Sequence, residues 1–308
     1  MVSQAGLFTI LYHIQTAQAT LPRKAASEAR ARTLAPARHG TVRDGEELMN
    51  IQTGIRRKLS NVLLHRGYKL ERIDVLMQLA DSYGSDKGTL RTAHRYTRIY
   101  ERFFGPIRND ALVIAEMGLL RSDTDGRKAS CAAEGTTTAV AYSAPSLQMW
   151  RAYFPHADIF GFDIDDFSAV KIDNCNILRG DMSSKADLLR LAHAIGCPID
   201  IIIDDASHAS HHQQIALGTL FPFVRDGGLY IIEDLHWQND IFEVHNAPKT
   251  RDLLRRLQLD NRFDSPFLSE DEQTYIESRT SGIWLFDSLS PENEDTSDAI
   301  ALLKKSSS

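Results

Sequence analysis

IDIIIDDASH, residues 199–208, and GLYIIEDLH, residues 228–236, each run from near-continuous apolar sequence straight into an acidic pair. Strands covered on one side alternate apolar and polar residues, whereas runs as continuous as these suit strands buried on both faces by helices. Three further stretches read the same way: ALVIAEM at 111–117, DIFGF at 158–162 and the short run at 177–179. Helix-like segments separate all five, so the expected fold class is α/β, a doubly wound, mostly parallel, Rossmann-like sheet. SGIWLFDS, at 281–288, is expected to add a late antiparallel edge strand.

Ahead of these strands, apolar residues recur at helical spacing, first as Ile73, Leu76, Met77 and Ala80, then as Tyr96, Ile99, Tyr100 and Phe103. Residues 46–105 are therefore expected to form a helical pre-core segment, residues 106–290 the catalytic domain and residues 291–308 a tail. Residues 1–45 are Ala/Arg-rich and poorly patterned beyond an apolar run at 6–14, and read as a disordered or weakly structured extension. No basic segment precedes that apolar run, as a targeting peptide requires. A chain of 308 residues, 43% of them hydrophobic, can bury one large core.

Lys and Arg number 35 against 41 Asp and Glu, a net charge of -6, which offers no general attraction to a phosphate backbone; nucleic acid is not an expected partner. Cys131, Cys175 and Cys197 are far apart and form no C-x-x-C pair, so buried free thiols are expected rather than a disulfide framework or a thiolate zinc site. No apolar run approaches the ~20 residues that cross a bilayer. A cytoplasmic protein without membrane contact is the expectation, and a homo-oligomer is left open.

In an open parallel sheet, ligands bind beyond the carboxyl ends of the strands. The residues there are conspicuously acidic. After the first strand come Glu116 and Gly118, a carboxylate that can orient the loop and a glycine that lets backbone approach a cofactor. There is no G-x-G-x-x-G, which argues against a dinucleotide. Asp163 ends the second strand, where a carboxylate can take both hydroxyls of a ribose; capping the following segment is its alternative role. Asp181, with the backbone N–H of Met182, offers the acceptor and donor that an adenine edge needs, unless the turn merely caps the next helix.

Two acidic pairs, Asp204-Asp205 and Glu233-Asp234, follow neighbouring strands. Like charges converging in a partly dry cleft call for a cation, and oxygen ligands favour a hard one such as magnesium. Asp205, Glu233 and Asp234 are the expected ligands, with Asp204 nearer the cofactor. His208, three residues past Asp205, is the candidate base. His211 and His212 are read as solvated or packing residues on the next helix, His236 as a second-tier or substrate residue, and the 83–89 stretch as a polar, Gly-hinged loop suited to a lid.

Taken in order, YGSDKGT (83–89) with HRY (94–96), SLQMWRAYFP (146–155), GFDID (161–165), GDMSS (180–184), IIIDDASH (201–208) and FPFVRDGGLYIIEDLH (221–236) resemble the metal-dependent class I methyltransferases of the mycinamicin and macrocin sugar O-methyltransferase type. The resemblance implies methyl transfer from S-adenosylmethionine to a hydroxyl of a glycosyl or other small metabolite. It places magnesium on Asp205, Glu233 and Asp234, the base at His208 and the cofactor around Glu116, Gly118, Asp163 and Asp181. Residues 119–145 depart from it, standing where the resembling enzymes have a short Gly-rich turn, and the N-terminal part shows no match to their auxiliary domain. Two alternatives remain: a cephalosporin-hydroxylase-like protein of the same fold, for which no 2-His-1-carboxylate set of suitable spacing is seen, and a cofactor-binding protein without catalysis.

Overall fold

A computed structural model describes residues 75–90, 94–119, 143–235, 238, 240–286 and 299–307. The expected extension at 1–45, Ile73, Cys131, His236 and most of the 119–145 segment lie outside these. Seven strands form one sheet: β1 (Val113–Met117), β2 (Asp158–Asp163), β3 (Cys175–Arg179), β4 (Ile199–Asp204), β5 (Val224–Ile232), β6 (Thr280–Phe286) and β7 (Ile300–Lys305). Their order is β3-β2-β1-β4-β5-β7-β6. The first five pair in parallel, and β7 runs antiparallel to both β5 and β6.

Alternation along the strands explains why continuous apolar runs are needed. Ile202, Tyr230, Ile232 and Leu303 pack on one face with the apolar sides of α4 (Lys185–Ile195), α5 (Ser210–Leu220), α6 (Thr250–Asp260) and α7 (Glu270–Arg279). Ile114, Ile201, Ile203, Ile231 and Leu302 pack on the other with α1 (Val75–Tyr83), α2 (Thr97–Phe104) and α3 (Pro145–Tyr153). The pre-core helices α1 and α2 thus share one side of the core with α3. Of the expected helical faces, Leu76, Ala80, Tyr96, Ile99 and Tyr100 are buried, while Phe104 rather than Phe103 completes α2.

Local signals set the boundaries. Ser184 accepts the Asp187 N–H at the start of α4, and Gly196 ends that helix at φ 71°. Ser269 and Glu272 close a capping box at the start of α7. Cys175 and Cys197 are free thiols as expected but not fully buried ones: Cys197 is exposed and Cys175 half-buried, with burial pushing the Cys175 thiol up to about 12. No helix of the described residues is long and apolar enough to cross a membrane.

The chain end corrects the expectation of a tail over 291–308. IALLKK at 300–305 is an inner strand whose first four residues are buried. Ala, Leu and Lys favour helix in isolation, so the strand identity comes from its partners β5 and β6, distant in sequence. Deleting residues 300–308 should unpair both neighbours and expose the core. Denaturant melts of the truncated chain should show loss of the cooperative transition.

Candidate active site

The strand order reverses between β1 and β4, and there the connections diverge to open a cavity of about 570 Å³ beyond the carboxyl ends. Its wall takes residues from each successive strand end: Gly118, Asp163, Asp181 and Met182, Asp205 to His208, and Asp234. Gly118 sits at φ 89°, and a Cβ there would overlap the Asp205 carbonyl oxygen. The glycine is demanded by the contact between the β1 and β4 loops, a different reason from cofactor approach. Gly118→Ala should cost ~3 kcal/mol or more in denaturant unfolding and distort both loops, since strain and overlap act together.

Asp163 spans two loops, accepting the Leu119 N–H on Oδ2 at 2.7 Å and the Asp165 N–H on Oδ1 at 2.8 Å. Asp181 accepts the Ser183 N–H at 2.8 Å, and the helix cap is Ser184, so Asp181 is not the cap. The Met182 sulfur lies 3.3 Å from the Ser207 hydroxyl, which in turn meets His212 Nδ1 at 2.8 Å. His212 therefore faces the cavity, while the His211 ring lies against it at a tilt of 52° from the same helix.

Two residues expected beside the cofactor are not on the described cavity wall. Asp204, 1% exposed, shares its face of β4 with Ile202 and turns toward Tyr230 beneath α5; burial pushes its carboxyl up to about 7, against the pull of Ala206 and Tyr230. Glu116, fully buried, turns to the opposite face, with Ser146, Trp150 and Lys87 around it. Burial raises its carboxyl, and those neighbours oppose the shift.

That opposite face holds a feature not singled out from the sequence. Lys87, 1% exposed, inserts its ammonium among three carboxylates: Asp205 in direct contact, Glu233 Oε2 at 2.9 Å and Glu116 Oε1 at 3.4 Å. Burial alone would lower its pKa, but Asp205, Glu233 and Glu116 raise it well above the usual lysine range. The other oxygen of Glu233 accepts the Tyr100 hydroxyl, and Asp234 Oδ1 accepts the Tyr96 hydroxyl at 2.7 Å. Burial and the adjacent carboxylates raise both phenols, so they stay protonated donors. The 83–89 stretch, read as a lid, thus plugs a buried cluster. The signal was present in YGSDKGT and HRY, but as unexplained motif letters.

Asp205, His208 and Asp234 bring one ligand atom each to within 4.8 Å of one another. Glu233, expected as the third metal ligand, stands outside that group. His208 Nε2 lies 3.7 Å from Asp234 Oδ2, and His94 Nδ1 approaches Asp234 Oδ1 at 3.6 Å. Burial lowers the His208 pKa while Asp234 and Asp86 pull it up. Burial and Glu233 hold the Asp205 carboxyl well above the usual range, eased by Lys87. The two carboxylates of this group offer oxygen ligands and negative charge, which fit a hard divalent cation.

The strand order and strand-end cavity are those of the class I, Rossmann-like methyltransferase fold. No protein-family model matches the chain. It is 39% identical over 160 residues to the 8-demethyl-8-alpha-L-rhamnosyl tetracenomycin-C 2'-O-methyltransferase of Streptomyces olivaceus, covering 52% of this chain and 37% of that protein. It is 35% identical over 142 residues to the Mycinamicin VI 2''-O-methyltransferase of Micromonospora griseorubida, covering 46% and 32%. Among solved structures, MycE methyltransferase from the mycinamycin pathway, in complex with Mg, SAH and mycinamycin VI, superposes with a TM-score of 0.55 at 28% identity, covering 77% of this chain and 54% of that one. The matches span about two fifths or less of these curated relatives and about half of the solved structure.

Proposed function

We propose that this chain is an S-adenosylmethionine-dependent, divalent-metal-assisted O-methyltransferase acting on a hydroxyl of a glycosylated, largely apolar small molecule. The observation that carries the proposal is the convergence of Asp205, His208 and Asp234 on the same cavity that Asp163 and Asp181 line. Its relatives support the donor, the magnesium and the glycoside class.

S-Adenosylmethionine, when bound, supplies an electrophilic methyl group. Asp163 would orient the ribose hydroxyls, and Asp181 with the Met182 N–H would read the adenine edge. Asp205 and Asp234 would hold the divalent ion, whose charge would make an adjacent hydroxyl more acidic. His208, kept neutral by burial, accepts the hydroxyl proton at Nε2, and Asp234 then stabilises the imidazolium. Holding acceptor and methyl donor in line supplies much of the rate. At the cavity mouth, Ile164 is 61% and Phe242 49% exposed, with Ile241 and Val244 exposed beside Phe242, an apolar rim suited to an aglycone.

His208→Ala should bind S-adenosylhomocysteine in calorimetry within about threefold of the parent and lose roughly 10²–10⁴-fold in kcat on a glycosylated polyketide with magnesium. Unchanged kcat removes His208 as the base, and a parent chain that does not bind the cofactor sinks the proposal. Phe242→Asp should raise KM for a glycoside with an apolar aglycone roughly tenfold with little change in kcat. An equal loss for the free sugar would refute the aglycone contact.

A further inference from the structure

The chemistry above gives Lys87 no part, yet the structure fixes it with unusual thoroughness. Its strap is held without the help of the ammonium. Asp81 accepts the N–H groups of Thr89 at 2.7 Å and Leu90 at 3.1 Å, together with the Thr89 hydroxyl at 2.6 Å. The Ser85 N–H donates to Ala80 O at 2.9 Å, the Arg95 N–H to Gly88 O at 3.0 Å, and the Thr97 N–H to Lys87 O at 3.2 Å. The loop is thereby tied to α1 on one side and the start of α2 on the other, and it delivers one side chain into the sheet.

At the receiving end, Glu116, Asp205 and Glu233 have no other cation within ion-pair distance among the described residues. Glu233 is held from two directions, by Lys87 and by Tyr100, whose ring stacks on Phe104 at 5.0 Å and meets Trp150 edge-on at 5.3 Å. Both its oxygens are engaged in this way, and it is not one of the Asp205, His208 and Asp234 group. Asp205 belongs to both clusters.

We propose that Lys87 is a positioning residue serving as a built-in cation: it fills the inner carboxylate cage of Glu116, Asp205 and Glu233, and so confines the centre to a single divalent ion on its outer ligands. The second half of this statement rests on the metal-assisted reading. A tethered ammonium cannot be chelated or diluted away, so the carboxylates stay ordered before any ion arrives. Without it, three buried negative charges would recruit an ion from solution.

The test compares the 308-residue parent, Lys87→Met and the double variant Lys87→Met/Glu116→Gln, using manganese as the probe ion. In chelator, Lys87→Met should unfold roughly 10 °C below the parent, because a buried cluster has lost its counter-charge. Manganese should recover most of that loss, and calorimetry should count one more ion than in the parent. The double variant removes one positive and one negative charge together, and should regain at least half of the loss in chelator. If Lys87→Met matches the parent in chelator and binds no additional ion, or if the double variant melts as low as the single, the proposal is overturned. Should the single variant fail to fold, a folded double variant supports it and an unfolded one overturns it. A parent that binds no manganese refutes the outer metal site, whereas an ion gained only by Lys87→Met still supports the role of Lys87.

Discussion

Side-chain parity on β1, β4 and β5 points Glu116, Asp205 and Glu233 to one face of the sheet, side by side and largely out of water. Like charges ~4–6 Å apart repel by about 3–4 kcal/mol per pair even at an effective dielectric near 20, and burial adds a desolvation penalty to each. The same face receives an ammonium and the Tyr100 phenol, which offset that repulsion, and the Tyr96 phenol holds the adjoining Asp234. Lys87, Tyr96 and Tyr100 all come from the segment preceding β1, so that segment is part of the active centre as well as of the core. The packing and the electrostatics are joined at Tyr100: its ring belongs to the aromatic cluster with Phe104 and Trp150, and its hydroxyl restrains Glu233.

A second constraint is conformational. His208 and Asp234 both adopt left-handed backbone, at φ 58° and 50°, in loops that follow neighbouring strands. For residues with a Cβ this costs ~1 kcal/mol or more each, and it persists when surrounding contacts over-determine the position. Here those contacts include the Tyr96 hydroxyl, which donates to the Asp234 side chain and accepts its backbone N–H at 3.3 Å. The two turns bring an imidazole and a carboxylate to within 3.7 Å of one another on the cavity wall, a preorganisation that favours proton transfer.

The inner parallel strands were legible because burial on both faces leaves near-continuous apolar runs, whereas the edge strand β3, with no fully buried residue, was marked only over its last three residues and the mostly polar start of β5 at 224–227 not at all. The strand at 300–305 was not legible, since its residues favour helix locally and its partners are remote. Gly118, Asp163, Asp181 and His208 could be placed by rank, as residues following strands of a doubly wound sheet. Lys87 could not: a lysine in a glycine-containing loop looks solvated unless the fold carrying it into the core is known. Its only trace in sequence was membership of a motif whose letters had no local physical meaning.

The acidic doublets show where rank after a strand stops being enough. Asp204-Asp205 and Glu233-Asp234 look like four carboxylates aimed at one cleft, but consecutive residues leaving a strand point to opposite faces. Asp204 accordingly goes under α5 toward Tyr230, and Glu233 goes to the Lys87 cage. Asp205 stands at the boundary, in contact with Lys87 and also on the cavity wall, and Asp234 reaches the cavity through its left-handed turn. One doublet member thus serves the interior and the other the ligand site. Adjacent carboxylates at a strand end divide between two tasks because the pleat separates them, and only a turn that breaks the pleat can bring one back.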